Sequence, residues 1–255
     1  MRRYARVALS ARASRWLERN SDQLVGDRSI SVSSRWSARR QTMNNNGIVD
    51  ALARMCGAKR RCMYCGDSEA CDIEHFYPKS MAEFRGRVFR WDNFLFICAP
   101  CNRLKNNSFK LTNDGLPLLL NPIDDDPWEF FDYVEETGAL VPRYDLPEDR
   151  RRRAESTLDD ATSRLSFEVI VNARMETVKG LRRAIRVYMN SERSVSDRLE
   201  MVEDVARLGR PELVQWYLSG ASPACDEMAN FVISDYELVA EIKHRISEMC
   251  PGMWN

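Results

Sequence analysis

Cys62-Met63-Tyr64-Cys65, Asp72-Ile73-Glu74-His75-Phe76-Tyr77-Pro78 and Cys98-Ala99-Pro100-Cys101-Asn102 are the stretches whose reading decides the fold. Two Cys-x-x-Cys pairs separated by 32 residues offer four thiolates, which suit a tetrahedral structural zinc holding two knuckles together. Either pair alone would also suit a thioredoxin-like redox site, but two pairs with polar chemistry between them favour zinc. Between the pairs, Ile73 to Tyr77 reads as a short strand ended by Pro78, and Phe94 to Ile97 as a second strand. Asn102 to Asn107 reads as helical. Strand, strand and helix around one metal centre make a ββα unit.

His75 is one of two histidines in the chain, and imidazole is the side chain best matched to taking a proton near neutral pH. Its plainer reading is a satisfied structural imidazole. Glu74 points to the opposite side of the strand, so it is free to ligate a cation while His75 faces an attacking water. Asp72 shares the Glu74 face and reads as a second ligand or, preferably, as an exposed strand residue. Arg103 and Lys105, early in the following helix, read equally as phosphate contacts or as a solvated helix face.

Working outward, 255 residues suffice for a buried core, and 44% hydrophobic with 30% charged residues is ordinary for a globular chain. No run of 18 apolar residues occurs, so a membrane partner is not expected. The formal net charge of zero hides an asymmetry: residues 1–61 carry +10, residues 62–112 about neutral charge, and residues 113–255 carry −11. That pattern suggests a basic segment for a polyanion, or alternatively two faces that attract each other. The other four of the eight cysteines, Cys56, Cys71, Cys225 and Cys250, read as free thiols. With no secretory signal, they point to a reducing, cytoplasmic location. The Arg-rich first 20 residues also have the composition of an organellar transit peptide, though a basic helical arm is the preferred reading.

The expected organisation is a basic N-terminal arm over 1–46, whose Ser/Arg-rich part reads as a loop or linker, a metal-bearing unit over 47–112, and a mostly helical acidic region over 113–255. Phe130–Val134 and Ala139–Val141 predict a hairpin across Glu-Glu-Thr-Gly. From Pro147 to Met189 the pattern reads as helix with few breakers, and later breaks fall at Gly209-Arg210-Pro211 and Gly220-Ala221-Ser222-Pro223. The fold class is therefore α+β and mostly α, with a zinc-stapled ββα unit and one hairpin.

Residues 60–110 resemble the HNH endonucleases, a ββα-metal nuclease family, in the subgroup stapled by a four-cysteine zinc. The resemblance rests on Cys62/Cys65, Glu74-His75-Phe76-x-Pro78-Lys79, Trp91-Asp92-Asn93-Phe94 and Cys98-x-x-Cys101-Asn102-x-x-Lys105. It implies that His75 is the general base and that Asn93 steadies it from a loop. Asn102 would join Glu74 on a catalytic divalent ion. Glu stands where the family often has Asp, and Asn where it often has His. An all-oxygen pair favours Mg²⁺ or Mn²⁺. The implied activity is hydrolysis of DNA, with Lys79, Arg103 and Lys105 as candidate backbone contacts. Leu118–Pro122, the acidic turn and hairpin after it, and Arg153-Ala154-Glu155-x-Thr157 further resemble HNH proteins of bacterial anti-phage systems of the Septu and retron type, in which the nuclease works with an ATPase partner. The alternative is a non-catalytic zinc-stapled module that binds nucleic acid or a partner.

Overall fold

The computed structural model describes residues 1–105, 109–219 and 226–254. The helical reading of Asn106 and Asn107, the break expected at 220–223 and Cys225 lie outside them. Strand β1 (Asp72–His75) pairs antiparallel with β2 (Phe94–Ile97), with Asp72 opposite Ile97 and His75 opposite Phe94. Every side chain of the Phe-Leu-Phe-Ile run in β2 is buried, as expected for a strand covered on both faces. Pro78 has no N–H to extend the ladder beyond β1. Helix α4 (Ala99–Lys105) leaves β2 through the second Cys pair and packs on β1.

The first Cys pair is a tight knuckle. Gly66 adopts φ +65, and its N–H returns to the Cys62 carbonyl at 2.9 Å. Met63 N–H donates to the Phe96 carbonyl (3.1 Å) and Cys71 N–H to that of Ile97 (3.0 Å), which fastens the knuckle to β2.

Upstream lie α1 (Ala11–Gly26), α2 (Val32–Arg40) and α3 (Ile48–Cys56). Ser10 caps α1 by accepting from Ala13 N–H, and Ser31 caps α2 by accepting from Ser34 N–H. The Ser/Arg-rich stretch expected as a loop is thus helical, anchored by its single aromatic, Trp36, which is buried. Nor do the first 46 residues stand off as an arm. Met1, Tyr4, Trp16, Leu17, Leu24 and Trp36 share one core with β1, β2 and the knuckles. Arg6 donates to the Phe94 carbonyl at 2.6 Å and to that of Asp92 at 2.7 Å, and Trp91 Nε1 donates to the Val7 carbonyl at 3.2 Å. The charge excess therefore sits on the outer faces of elements whose inner faces are apolar.

Downstream, β3 (Phe131–Val134) and β4 (Ala139–Pro142) form the expected hairpin, turned at Gly138 with φ +71. Leu120 N–H donates to Thr157 Oγ1 at 3.0 Å, and Arg153 pairs with Asp125 at 2.7 Å, so the Leu118–Pro122 and Arg153–Thr157 stretches pack together. Helices α5 (Glu148–Leu158), α6 (Glu168–Met189), α7 (Val195–Arg207), α8 (Pro211–Leu218), α9 (Asp226–Ser234) and α10 (Tyr236–Met249) complete the chain. The continuous helix expected from Pro147 to Met189 is interrupted between α5 and α6. There Asp159 Oδ1 accepts from Ala161 N–H (2.8 Å) and Ser163 Oγ donates to the Thr157 carbonyl (2.6 Å), bonds that compete with the helical ladder. The protein is mostly helical with two small antiparallel hairpins.

A second core, centred on Tyr133, Leu181, Ile185, Trp216, Phe231 and Ile242, unites the hairpin with the late helices. Arg210, at the start of α8, joins the two halves. Its guanidinium is 2% exposed and donates to the Cys65 carbonyl at 2.5 Å and to Asp67 Oδ1 at 3.1 Å, with Glu212 Oε1 at 3.6 Å. Breaking a buried ion pair strands the remaining charge, so Arg210→Ala is expected to lower stability by about 3–5 kcal/mol, read as a fall in the denaturant midpoint.

Candidate metal centre and catalytic face

Cys62, Cys65, Cys98 and Cys101 converge with their sulfurs within 4.8 Å of one another, all four buried. Cys65 Sγ and Cys98 Sγ stand 3.9 Å apart, close to the edge of about 3.8 Å that a tetrahedron with 2.3 Å Zn–S bonds would have. Burial pushes the Cys62 thiol well above its usual range, and the neighbouring thiols add to this. Holding such sulfurs as thiolates requires a cation among them. Arg164, in the break between α5 and α6, brings Nη1 to 3.2 Å from Ser68 Oγ and 4.0 Å from Cys98 Sγ, where it offsets the negative charge of a tetrathiolate. The cluster fits structural zinc.

His75 ends β1 and is 1% exposed. Its Nε2 lies 2.9 Å from the Val88 carbonyl. A carbonyl only accepts, so Nε2 carries the proton and Nδ1 is the basic nitrogen of the neutral ring. Burial pulls the imidazole down to about 3, the Val88 bond opposes this, and Lys79 and Lys105 push further down. Trp36 lies against the ring with centroids 4.2 Å apart, and Phe94 at 5.4 Å.

Asn93 is 1% exposed and fully engaged. Its Oδ1 accepts from Tyr77 N–H (2.7 Å), and its Nδ2 donates to the carbonyls of Tyr77 (3.1 Å) and Arg87 (3.0 Å). It thereby fixes the loop that supplies the Val88 carbonyl to His75.

On the other side of β1, Asp72 and Glu74 face α4. Asn102 Nδ2 donates to Asp72 Oδ2 at 3.1 Å, and Lys105 Nζ donates to Glu74 Oε1 at 2.9 Å and to the His75 carbonyl at 2.6 Å. Lys105 is 1% exposed, so the expectation that it touches phosphate is overturned. Residues 101 and 105 are one helical turn apart, and Cys101 must face the sulfur cluster, which brings Lys105 inward with it. Burial lowers the Lys105 pKa, and the Glu74 carboxylate counters this. Arg103 is exposed and Lys79 half-buried. Glu74 and Asn102 lie on one face, with Glu74 Oε1 taken by Lys105 and Asn102 Nδ2 donated to Asp72.

Asp72 is not the idle strand residue expected. It also accepts from Arg40 of α2 at 2.7 Å. Its place two residues before Glu74, on the same strand face, was the available signal. Trp36 and Arg164 were also missed. A lone tryptophan amid serines and arginines marks an anchored helix, whereas nothing local to Arg164 announces its reach across 66 residues to Cys98.

These elements define a four-cysteine-clipped ββα unit with an imidazole on one face and an oxygen-rich cluster on the other. Over 128 aligned residues the chain is 28% identical to the Septu protein PtuB of Bacillus mycoides (strain KBAB4), an alignment that takes in 39% of this chain and 42% of that protein. The chain thus spans less than half the length of this curated relative. No protein-family profile matches it, and no solved structure is similar to it. Among the described residues, no helix is long and apolar enough to cross a membrane.

The purified protein is expected to release one zinc ion per chain on mercurial titration of its thiols, measured with a colorimetric chelator. Cys101→Ser should sharply reduce retained zinc and broaden thermal unfolding, because metal affinity and folding free energy are linked at such a site.

Proposed function

We propose that this protein is a metal-dependent endonuclease of the HNH type that hydrolyses DNA in anti-phage defence, working with an ATPase partner in the cytoplasm. The observation that carries this reading is the arrangement at β1. A neutral imidazole, its tautomer set by the Val88 carbonyl, stands on one face of the strand, and a cluster of two carboxylates and an amide stands on the other. The relation to a Septu protein supports the defence role.

His75 acts as general base through Nδ1, taking a proton from the attacking water. Asn93 positions it through the loop. Asn102 and Glu74 would hold a divalent ion, Mg²⁺ or Mn²⁺ given the hard oxygen donors, which when bound stabilises charge developing at phosphorus. Lys105 holds Glu74 Oε1, so an ion at Glu74 would share the carboxylate with that ammonium. Arg103 and Lys79 contact the nucleic-acid backbone. Residues 47–112 constitute the nuclease domain and residues 113–255 the partner-binding body, with Arg164 and Arg210 joining them. The competing reading, a zinc-stapled binding module that does not cut, draws its support from the burial of His75 beneath Trp36.

Supercoiled plasmid incubated with Mg²⁺ or Mn²⁺ separates the two. The wild type is expected to nick and His75→Ala to lose about 10²–10⁴-fold in rate, the usual contribution of a positioned base. Equal cleavage by both proteins would remove His75 from the chemistry. Asn93→Ala should lose stability by about 1–3 kcal/mol, since it strands buried backbone groups, and should slow nicking while leaving zinc content unchanged.

A further inference from the structure

We infer that helix α2 is both the cover of the His75 site and the first surface that a nucleic-acid backbone meets, so that phosphate binding to α2 uncovers the site. The inference rests on the endonuclease reading above and adds to it where the substrate docks and how the site opens.

The helix is held lightly. Of its nine residues only Trp36 is buried, and that side chain packs on the His75 ring and, with centroids 5.8 Å away in each case, on Phe89 and Phe94. A segment fastened by one buried side chain and by the half-buried Val32 at its fixed end opens at low cost relative to the core. Its second fastening is Arg40 to Asp72, with side chains 51% and 21% exposed. Exposed pairs of this kind contribute little, and a phosphate can replace the carboxylate. The turn between α1 and α2, by contrast, is firmly held. Arg85 donates to the carbonyls of Leu24 (2.9 Å), Asp27 (2.9 Å) and Ile30 (2.8 Å), so α2 can swing about a fixed end.

Apart from Arg40, the charge on α2 is not matched by an acid among the described residues. Val32–Arg40 contains three arginines and no acid. Arg35 bonds the neutral amide of Gln23, and among the described residues neither Arg35 nor Arg39 meets a carboxylate. The Nε atoms of both are buried without a partner. Arginine forks lacking acids are suited to phosphate oxygens. When Arg40 exchanges Asp72 for phosphate, α2 loses the fastening at its C-terminal end and Trp36 can withdraw from the ring. Asp72 is then left with Asn102 as its remaining partner. Any ligand that binds the open form better shifts the population toward it.

Two readouts on the zinc-loaded full chain, taken without added divalent ion, test this. Diethyl pyrocarbonate labelling compares His75 with His244, whose side chain is 80% exposed, and the labelled peptides are resolved by mass. Fluorescence anisotropy follows binding of a linear DNA duplex. In the wild type His75 should label far more slowly than His244. The double variant Arg39→Ser/Arg40→Ser, at a half-buried and an exposed position outside the apolar core, should bind the duplex about tenfold more weakly through lost phosphate contacts and label His75 roughly tenfold faster. Weaker binding with unchanged labelling would mean that the arginines dock DNA but α2 is no cover. Faster labelling with unchanged affinity would mean a cover that the substrate does not touch. Either result overturns the coupling, as does wild-type His75 labelling at the rate of His244. Trp36→Ala supplies a second arm, with His75 exposed and duplex affinity retained. Zinc content reports its folding, and the arginine variants decide alone if it does not fold. Neither readout needs cleavage, so this inference and the nuclease reading fail separately.

Discussion

Four sulfurs drawn within 4.8 Å of one another are the constraint on which the site depends. The β1–β2 pair is only four residues long on each strand, and a two-stranded sheet of that size has little stability of its own. The first knuckle hydrogen-bonds to β2 through Met63 and Cys71, and the second begins where β2 ends. Zinc at this point would fix the strand register, and the register decides which face His75 occupies and which Glu74. The same centre sets the rotation of α4, because Cys101 has to reach it.

The two faces of β1 are electrostatically unlike. On one, an uncharged imidazole sits among aromatic rings. On the other, Asp72 and Glu74 are matched by Arg40 and Lys105, one cation at the surface and one buried. The buried pair needs its geometry, since removing either partner strands a charge in a poorly solvated place, whereas the surface pair can be exchanged with little loss. The side of the acidic cluster nearest α2 is therefore the more yielding one.

Much of this was legible in the sequence, and what was not has physical reasons. The zinc cysteines, β2 and the hairpin are local patterns, set by spacing and alternation, and they stand where the pattern put them, whereas β1 begins one residue before the expected Ile73 and ends at His75 rather than Tyr77. The burial of Lys105 was implicit in its one-turn offset from Cys101 but hidden by the habit of reading lysine as surface. Trp36 lay in a stretch whose serines and arginines outvoted it, yet one large aromatic suffices to anchor a short capped helix. The break between α5 and α6 was masked by the helix formers on either side of it, although side-chain bonds from Asp159 and Ser163 decide it. Arg164 and Arg210 act across long sequence separations, which periodicity cannot report. The +10 excess of residues 1–61 described composition correctly and position poorly, since charge on outer faces says nothing of what the inner faces bury.

The ties of Asn93 to Tyr77 and Arg87 make a closed neck for the chain between them. A loop pinched at its base transmits little of what happens at its tip, so residues 80–84 can change length or character without moving the imidazole. Diversification there is limited by Phe84, which packs on Tyr77 and Phe109, and by Arg85, whose three bonds to the α1–α2 turn make the loop a bracket for a neighbouring element. A relative that exchanged this loop while keeping an aromatic and an arginine at those points would retain its chemistry and acquire a new surface. Variation in target preference among such proteins should therefore concentrate between Lys79 and Phe84, ahead of a fixed Arg85.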